Sequence, residues 1–179
     1  MRPFLKFADA VDWLDEQVGQ TLKWLVLFAS LISAGNALMR YTIHYSSNAW
    51  LEIQWYMFGA MFLLAAGYAL KHGEHVRVDV FYSKMSPRTQ AWVDVVGTVL
   101  FLMPMAVIIA WLSIPMVVNS YHIQEHSSDA GGLLRWPIKI MIPLGFALLA
   151  LQGIAEIIKK AAVAGGIREA GKVYERPVQ

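Results

Sequence analysis

The chain has 179 residues, about the length of one domain. Hydrophobic residues make up 57% of it and charged residues only 16%, against about 25% charged in an ordinary soluble domain, which disfavours both a disordered chain and a small soluble enzyme. The chain has no cysteine, which excludes disulfides, thiolate nucleophiles and cysteine metal sites, and its net charge of +2 gives no electrostatic footprint for nucleic acid.

The first twenty residues have the pattern of an amphipathic helix. Apolar side chains recur at steps of three or four positions, and acidic side chains occupy the rest of the surface. No apolar run follows the basic start, so the segment is not typical of a signal peptide. We expect an interfacial helix that lies on the membrane by apolar contact or packs on a partner protein, and the pattern leaves both open. The apolar positions are Phe4, Phe7, Val11, Leu14 and Val18, and the acidic ones are Asp9, Asp12, Asp15 and Glu16.

Four stretches of the chain carry no ionised residue, at positions 24–39, 53–70, 95–124 and 140–155. A membrane-spanning helix needs about 17–25 mostly apolar residues, and the two shorter runs reach that length if the charged residues at their ends extend to the interface. Buried helices of a soluble bundle would instead show a polar stripe with the helical period. The sequence therefore predicts an all-α membrane protein with four transmembrane helices, spanning about 22–40, 51–71, 91–119 and 136–158.

The third predicted helix is too long to cross a membrane upright. Ser86 and Pro87 are typical of an N-cap followed by proline at the first helical position. From there to position 119 is about 50 Å of helix, whereas the hydrocarbon core is about 30 Å thick. The helix must tilt, kink or run along the interface, and Pro104 and Pro115 are the expected kink sites. Pro143 is the corresponding site in the fourth helix.

Lysine and arginine are distributed unequally about these spans. The N-terminal segment, the loop between helices two and three and the C-terminal region together carry 12 of them, and the other side carries three. Because positive residues are retained on the cytoplasmic side, both termini are predicted to be cytoplasmic. We expect a single membrane domain, 1–160, and a polar cytoplasmic tail, 161–179.

The predicted membrane interior contains no acidic or basic side chain. Ion-coupled transporters keep ionisable groups near the middle of the membrane, whereas every acidic residue here is expected at a helix end or in a loop. The chain also lacks the repeats and interrupted helices of many transporters, any nucleophile–base pair and any glycine-rich phosphate loop. We therefore expect an accessory membrane subunit that is neither a transporter by itself nor an enzyme, that needs no cofactor or metal, and whose apolar surface meets another membrane protein.

Five histidines leave an alternative open. Small helical anchors of respiratory enzymes bind haem through histidine ligands, and an outer haem between His44 and His122 is geometrically feasible. However, His122 is the only histidine inside a charge-free run, and it lies at the end of that run. A haem- or quinone-associated membrane anchor is therefore the second hypothesis. A zinc site within positions 72–79 matches no common zinc motif.

Two segments of the chain resemble a known family. One is WLEIQWYMFGAMFLLAAGYALKHGEHVRVDVFY, at positions 50–82, and the other is HSSDAGGLLRWPIKIMIPLGFALLALQGIAEIIKK, at 126–160. With four spans and cytoplasmic ends, they resemble the small membrane subunit of tripartite ATP-independent periplasmic (TRAP) transporters, the DctQ-like family. The most telling features are Glu52 at the start of helix two, the run His75, Val76, Arg77, Val78, Asp79 after it, and the run Pro143, Leu144, Gly145, Phe146 in helix four.

The resemblance implies a scaffold role in the inner membrane of a bacterium. In such systems a soluble periplasmic protein captures an organic acid, and a large membrane subunit moves it inward, driven by an ion gradient. The small subunit binds neither substrate nor ion; it pairs with the large subunit and enlarges the static scaffold. The implied partners are the large subunit, the lipid bilayer and, transiently, the periplasmic binding protein, for which the outer loop 124–134 is the candidate contact; no nucleic acid is implied.

Eight residues of the resembling segments are candidate partner contacts, and simpler explanations exist for them. Glu52 near a helix N-terminus is favourable to the helix dipole. Arg135 and Trp136 would anchor helix four at the outer boundary, and Pro143 and Gly145 would shape that helix or permit close packing. The eight candidates are Glu52, His75, Arg77, Asp79, Arg135, Trp136, Pro143 and Gly145.

Overall fold

The computed structural model describes residues 2–73, 82 and 84–166. Over these ranges the chain is mostly helical, and four of its helices are long and apolar enough to cross a membrane. The prediction of an all-α membrane protein with four long helices is confirmed. The helices are α1 (Arg2–Thr42), α2 (Asn48–His72), α3 (Pro87–Gly97), α4 (Met103–His122), α5 (Trp136–Lys139) and α6 (Met141–Ala164).

The amphipathic N-terminal segment is the first half of α1 and continues directly into the first long apolar stretch. The helix has 41 residues and is therefore about 60 Å long, twice the thickness of a hydrocarbon core. Its only proline is Pro3, so nothing interrupts the backbone hydrogen bonds farther along. The helix ends after Thr42, where the Ile43 N–H donates to Met39 O at 3.0 Å and His44 has a φ of 55°.

The ends of α2 and α3 follow from local sequence. Gly73 closes α2 with a φ of 69°, and its N–H donates to Leu70 O at 3.2 Å. Glycine adopts this left-handed conformation without a steric penalty. At the start of α3 the Ser86 hydroxyl accepts from the Thr89 N–H at 3.3 Å, with Pro87 next in the chain. This confirms the predicted N-cap.

A short π-helical segment, Thr98–Leu102, joins α3 to α4. Together they form one helix of 36 residues, Pro87–His122, which we call the third long helix. The Met103 N–H donates to Thr98 O, five residues back, directly before Pro104, which has no N–H to donate. The proline therefore coincides with a local widening of the turn. Pro115 lies inside α4, which continues through it.

The centre of the bundle is α6. It packs against α1, α2 and both parts of the third long helix, and 28% of its most apolar stretch is buried. Small residues allow these close approaches. The third long helix packs mainly along α6, and only 6% of its most apolar stretch is buried. The buried small residues of α6 are Gly145, Gly153, Ala155, Ala162 and Ala164.

Candidate functional site

The Glu52 side chain holds the loop that joins the third long helix to α5. It is the fifth residue of α2, and it is only 3% exposed. Its Oε2 accepts from the Leu133 N–H at 2.6 Å, and the Ser127 hydroxyl also hydrogen-bonds to the carboxylate. Glu52 therefore binds a segment 81 positions farther along the chain, and its role as a partner contact stays a prediction.

The loop held by Glu52, residues 123–135, is a short hairpin, which we call the outer hairpin. The Ser127 N–H donates to Leu133 O at 2.9 Å, and the Arg135 N–H donates to Glu125 O at 2.8 Å. Gly131, with a φ of 72°, lies at the turn. This ladder gives the loop a defined shape, so its exposed tip at 128–131 is presented in one conformation.

Arg135 and Trp136 connect the outer hairpin to the helices. The Arg135 guanidinium lies 5.7 Å from the centre of the Trp55 ring and donates to the Ser127 hydroxyl at 3.2 Å. Trp136 meets Tyr121 of α4 edge to face, with ring centres 5.5 Å apart. Both residues are half-buried. These contacts agree with an anchoring role, and they leave the predicted partner contacts of both residues untested.

An ion pair between Glu125 and Lys139 closes the base of the outer hairpin. The hydrogen bond from Lys139 holds the pKa of the Glu125 carboxyl below its ordinary value. The ion pair and the backbone ladder thus join the end of α4 to the start of Trp136–Ala164, which comprises α5 and α6 and which we call the fourth long helix. This end of the bundle is braced by polar contacts that involve three of its helices.

Pro143 and Gly145 shape the start of α6. The chain departs from regular helix at Ile140, between α5 and α6, and Pro143 has no N–H to donate to the carbonyl one turn earlier. Gly145 is buried against α2: a methyl group added there would lie 2.5 Å from Leu63 O. The two residues therefore determine how closely α6 approaches α2. The remaining candidates, His75, Arg77 and Asp79, lie outside the described residues.

At the opposite end of the bundle, the acidic side of α1 meets α6. Lys159 Nζ lies 2.8 Å and 2.9 Å from the two carboxylate oxygens of Asp12, and 2.6 Å from Glu156 Oε1. The Gln152 side-chain amide donates to the same Asp12 carboxylate at 2.9 Å and to Glu156 at 3.2 Å. We call this group, together with Asp15, Glu16, Lys71 and His72, the inner cluster.

The end of α2 joins the inner cluster through Lys71 and His72. Lys71 Nζ lies 2.6 Å from Glu16 Oε2 and donates to Asp12 O at 2.9 Å. His72 Nε2 lies 3.1 Å from the same Glu16 oxygen, and its ring stacks obliquely on Tyr68. The acidic side of α1 is thus bound within the chain, whereas Phe4 and other apolar residues of its opposite stripe remain exposed.

Asp15 is the most buried member of the inner cluster. It is 1% exposed, and neither carboxylate oxygen has a hydrogen-bond partner in the part of the chain that the structure describes. It faces Gly67 of α2, where an added methyl group would lie 2.8 Å from Asp15 Oδ2. The expectation that every acidic residue lies at a helix end or in a loop is wrong for Asp15, because α1 continues past it for 27 residues.

The sequence contains a signal for the inner cluster that hydrophobic periodicity does not show. Acidic residues at positions 12, 15 and 16 and lysines at 71, 159 and 160 were all predicted on the same side of the membrane. Opposite charges at one end of a bundle favour pairing. Their partners are far apart in the chain, 147 positions for Asp12 and Lys159, so local pattern alone could not assign them.

The third long helix carries many exposed large apolar side chains and, like α1, buries only 6% of its most apolar stretch. Its outward side chains include Phe101, Trp111 and Leu112, which are 75%, 73% and 68% exposed. In a membrane, such a face meets either lipid or another protein.

A family model described as "Tripartite ATP-independent periplasmic transporters, DctQ component" matches residues 29–163, most of the chain. The protein belongs to this family. The suspected relationship is confirmed, and the chain is a small membrane component of a TRAP transporter. No curated protein and no solved structure matches this DctQ-family chain. The matched range includes the outer hairpin, whereas the acidic residues of the inner cluster on α1 precede it.

The family assignment also bears on the haem hypothesis. His44 lies after the end of α1 and His122 at the end of α4, both exposed. Within residues 2–73, 82 and 84–166, no three side chains of histidine, aspartate or glutamate are grouped so as to hold a metal ion. A component of a transporter of this family is generally not catalytic.

Proposed function

We propose that this protein is the non-transporting small subunit of a TRAP transporter, paired with the large membrane subunit as part of its static scaffold. The assembly takes up an organic acid that a periplasmic binding protein delivers, driven by an ion gradient. The substrate class and the division of labour rest on the family assignment. The protein lies in the bacterial inner membrane with both termini cytoplasmic, as the 12 to 3 distribution of lysine and arginine favours.

The single observation that carries the pairing is the exposed third long helix. It has one main neighbour, α6, and buries only 6% of its most apolar stretch. Shape-matched packing, rather than exclusion from water, drives association of helices in lipid. A long helix that leaves several large side chains free along one face, such as Trp111 and Leu112, suits packing against a broad protein wall.

The outer hairpin supports a second, transient contact. Its exposed tip at 128–131 is held in place by Glu52, Arg135 and the backbone ladder. A preformed surface loses little conformational freedom on binding. We propose that this tip touches the periplasmic binding protein when that protein docks.

Purification of the tagged full-length chain from its native membrane in mild detergent tests the proposal. We expect a stoichiometric large polytopic membrane protein, identified by mass spectrometry, and no visible absorption. A coloured preparation with a Soret band and soluble redox subunits would instead support the haem-anchor hypothesis. Recovery of the chain with no membrane partner would contradict the pairing.

The role of the third long helix is tested in the same assay by Trp111→Arg, with Phe62→Arg as the control. Both side chains are more than 70% exposed, at 73% and 78%, and Phe62 lies on α2. A charged residue inside a membrane helix is costly wherever it lies, so Phe62→Arg reports that general cost, whereas a charge at a packed protein interface also disrupts the contact. We expect loss of the large subunit for Trp111→Arg and its retention for Phe62→Arg.

A further inference from the structure

The inner cluster contains three buried oxygen atoms that have no hydrogen-bond donor among the described residues. They are both carboxylate oxygens of Asp15 and the side-chain oxygen of Gln152. Asp15 is 1% exposed and Gln152 is fully buried. Buried acceptors of this kind are costly, because the hydrogen bonds they make to water in the open chain are not replaced. A hydrogen-bond donor or a positive charge is therefore needed beside these oxygens.

The neighbouring cations already have partners. Lys159 is bound by Asp12 and Glu156, and Lys71 is bound by Glu16 and the Asp12 carbonyl. Among residues 2–73, 82 and 84–166, no lysine, arginine or histidine side chain hydrogen-bonds to the Asp15 carboxylate.

The charge balance of the inner cluster also opposes a carboxylate at Asp15. Four acidic side chains meet two lysines and His72 within the described residues. On α1 itself Asp15 has the acidic neighbours Asp12 and Glu16. The groups that face it from α2 are Lys71 and His72, and those from α6 are Glu156 and Lys159. With Asp15 neutral, three acidic groups would face those cations, which is close to balance.

The packing around Asp15 leaves little room for a larger ligand. Gly67 approaches so closely that even a methyl group there would be 2.8 Å from Asp15 Oδ2 and 2.9 Å from Oδ1. A hydrated cation needs several oxygen ligands at defined distances, and the described residues contain no grouping of acidic or histidine side chains able to hold a metal ion. A proton needs no space.

We propose that Asp15 is a proton-binding site, and that its protonated form locks the N-terminal half of α1 onto α2 and α6. One O–H bond forms with a proton taken from bulk water. The carboxyl group then enters the bundle uncharged, while Asp12 and Glu16 on either side remain paired with Lys159 and Lys71. When this half of α1 separates, Asp15 meets water and releases the proton.

The sign of the pH effect follows from linkage. The docked form binds the proton more tightly than the open form, so docking is strongest at mildly acidic pH and weakens as the pH rises. His72 is a titratable neighbour on α2, so its effect must be separated from that of Asp15.

Infrared spectroscopy of the full-length chain in mild detergent detects the proton directly. At about pH 5.5 an exposed aspartate is almost fully ionised. We expect a protonated-carboxyl C=O band at this pH in the wild type and in Asp9→Asn, which changes an exposed acid on the same helix. The band should be lost in Asp15→Asn. Its absence from the wild type, or its full retention in Asp15→Asn, would overturn the proposal.

Thiol accessibility measures the docking itself, because the chain has no cysteine of its own. Ala8→Cys places a thiol at a fully buried position of α1, and Ala10→Cys provides an exposed reference two residues away. We divide the labelling rate of Ala8→Cys by that of Ala10→Cys, both measured with a pyridyl disulfide. This ratio removes the pH dependence of the thiol's own reactivity. Between about pH 5 and 7 we expect this ratio to rise, by at most tenfold per pH unit for a single proton.

The same ratio in an Asp15→Asn background isolates the proposed site. Asparagine is similar in shape and permanently neutral, so the ratio should stay low and vary little with pH, and any slope that remains belongs to groups other than Asp15. Equal slopes with and without Asp15 would overturn the proposal. So would a labelling ratio that falls on addition of sodium at constant ionic strength, because that result would assign the orphan oxygens to a metal cation.

Discussion

The fourth and third long helices are of similar composition, yet they occupy opposite positions in the bundle. α6 presents glycine and alanine to its neighbours and packs against three other helices. The third long helix presents large side chains outward and rests mainly on α6, with further contacts at its two ends. Hydropathy alone would rank the third as the more central, since its most apolar stretch has a mean hydropathy of 2.4 against 1.9. Small residues, and not overall apolarity, therefore mark the centre of this membrane bundle.

The largest expected effect distinguishes α6 from the third long helix and comes from replacing one glycine in each. Gly145→Ala places a methyl group 2.5 Å from Leu63 O, so α2 and α6 must move apart. We expect a loss of about 1–3 kcal/mol of stability, as for other overpacked sites. Gly97→Ala in the third long helix is the control, because no atom lies within 4 Å of the added methyl. It should be neutral or slightly stabilising. The Tm of both variants in one detergent measures this, and equal values would contradict the packing described.

The next largest effect is expected when the outer hairpin, which follows the third long helix, loses its contact with α2. Glu52→Ala removes the acceptor of the Leu133 N–H, so the outer hairpin loses its attachment to α2. Tryptic cleavage after Arg135 should become severalfold faster. Asp129→Asn, at the exposed tip, is the matched control and should leave the rate unchanged. If the hairpin of the Glu52 variant resists trypsin as well as the wild type does, its attachment depends on other contacts.

The inner attachment of the third long helix is weaker. Lys160 Nζ of α6 lies 3.0 Å from Asp94 Oδ2 of α3, and a partly exposed pair of this kind contributes about 0.2–1 kcal/mol. Lys160→Met should lower the Tm slightly at low salt and have no effect at high salt, where the attraction is screened. Lys6→Met, which removes an exposed lysine from α1, serves as the control for the change in net charge.

The smallest expected effect concerns acid pH at the outer hairpin. Because the pKa of Glu125 is lowered in the folded chain, its contribution is complete above the ordinary range of glutamate, near pH 4.3. It is lost as the pH falls through the lowered value. The fall in Tm between pH 7 and pH 4 should therefore be smaller in Glu125→Gln than in the wild type. The same fall in both would show that the Lys139 ion pair does not stabilise the hairpin.

The sequence predicted the helices better than their contacts. Charge-free runs and the Ser86 cap are local signals, and the helices follow them because backbone hydrogen bonds in a membrane must be satisfied within the segment. The continuity of α1 was not predicted, since its polar first half suggested a separate interfacial helix. That half is bound by charges on α2 and α6, which no local pattern reveals.

The candidate site was predicted only in part. Glu52, Arg135 and Trp136 were selected from a family resemblance, and the structure brings them together at the outer hairpin. Asp15 was missed, because its burial depends on the absence of a side chain at Gly67, 52 positions away. Such complementarity between a polar residue and a glycine exists only in three dimensions.

The most direct test of the central claim is photocrosslinking in the native membrane. A photoreactive amino acid at Trp111 on the third long helix, and in a separate variant at Phe62 on α2, reports what each exposed face touches. We expect the probe at Trp111 to capture the large membrane subunit and the probe at Phe62 to capture mainly lipid. Capture of lipid alone at Trp111, with the large subunit captured at Phe62, would contradict the assignment of the third long helix as the partner surface.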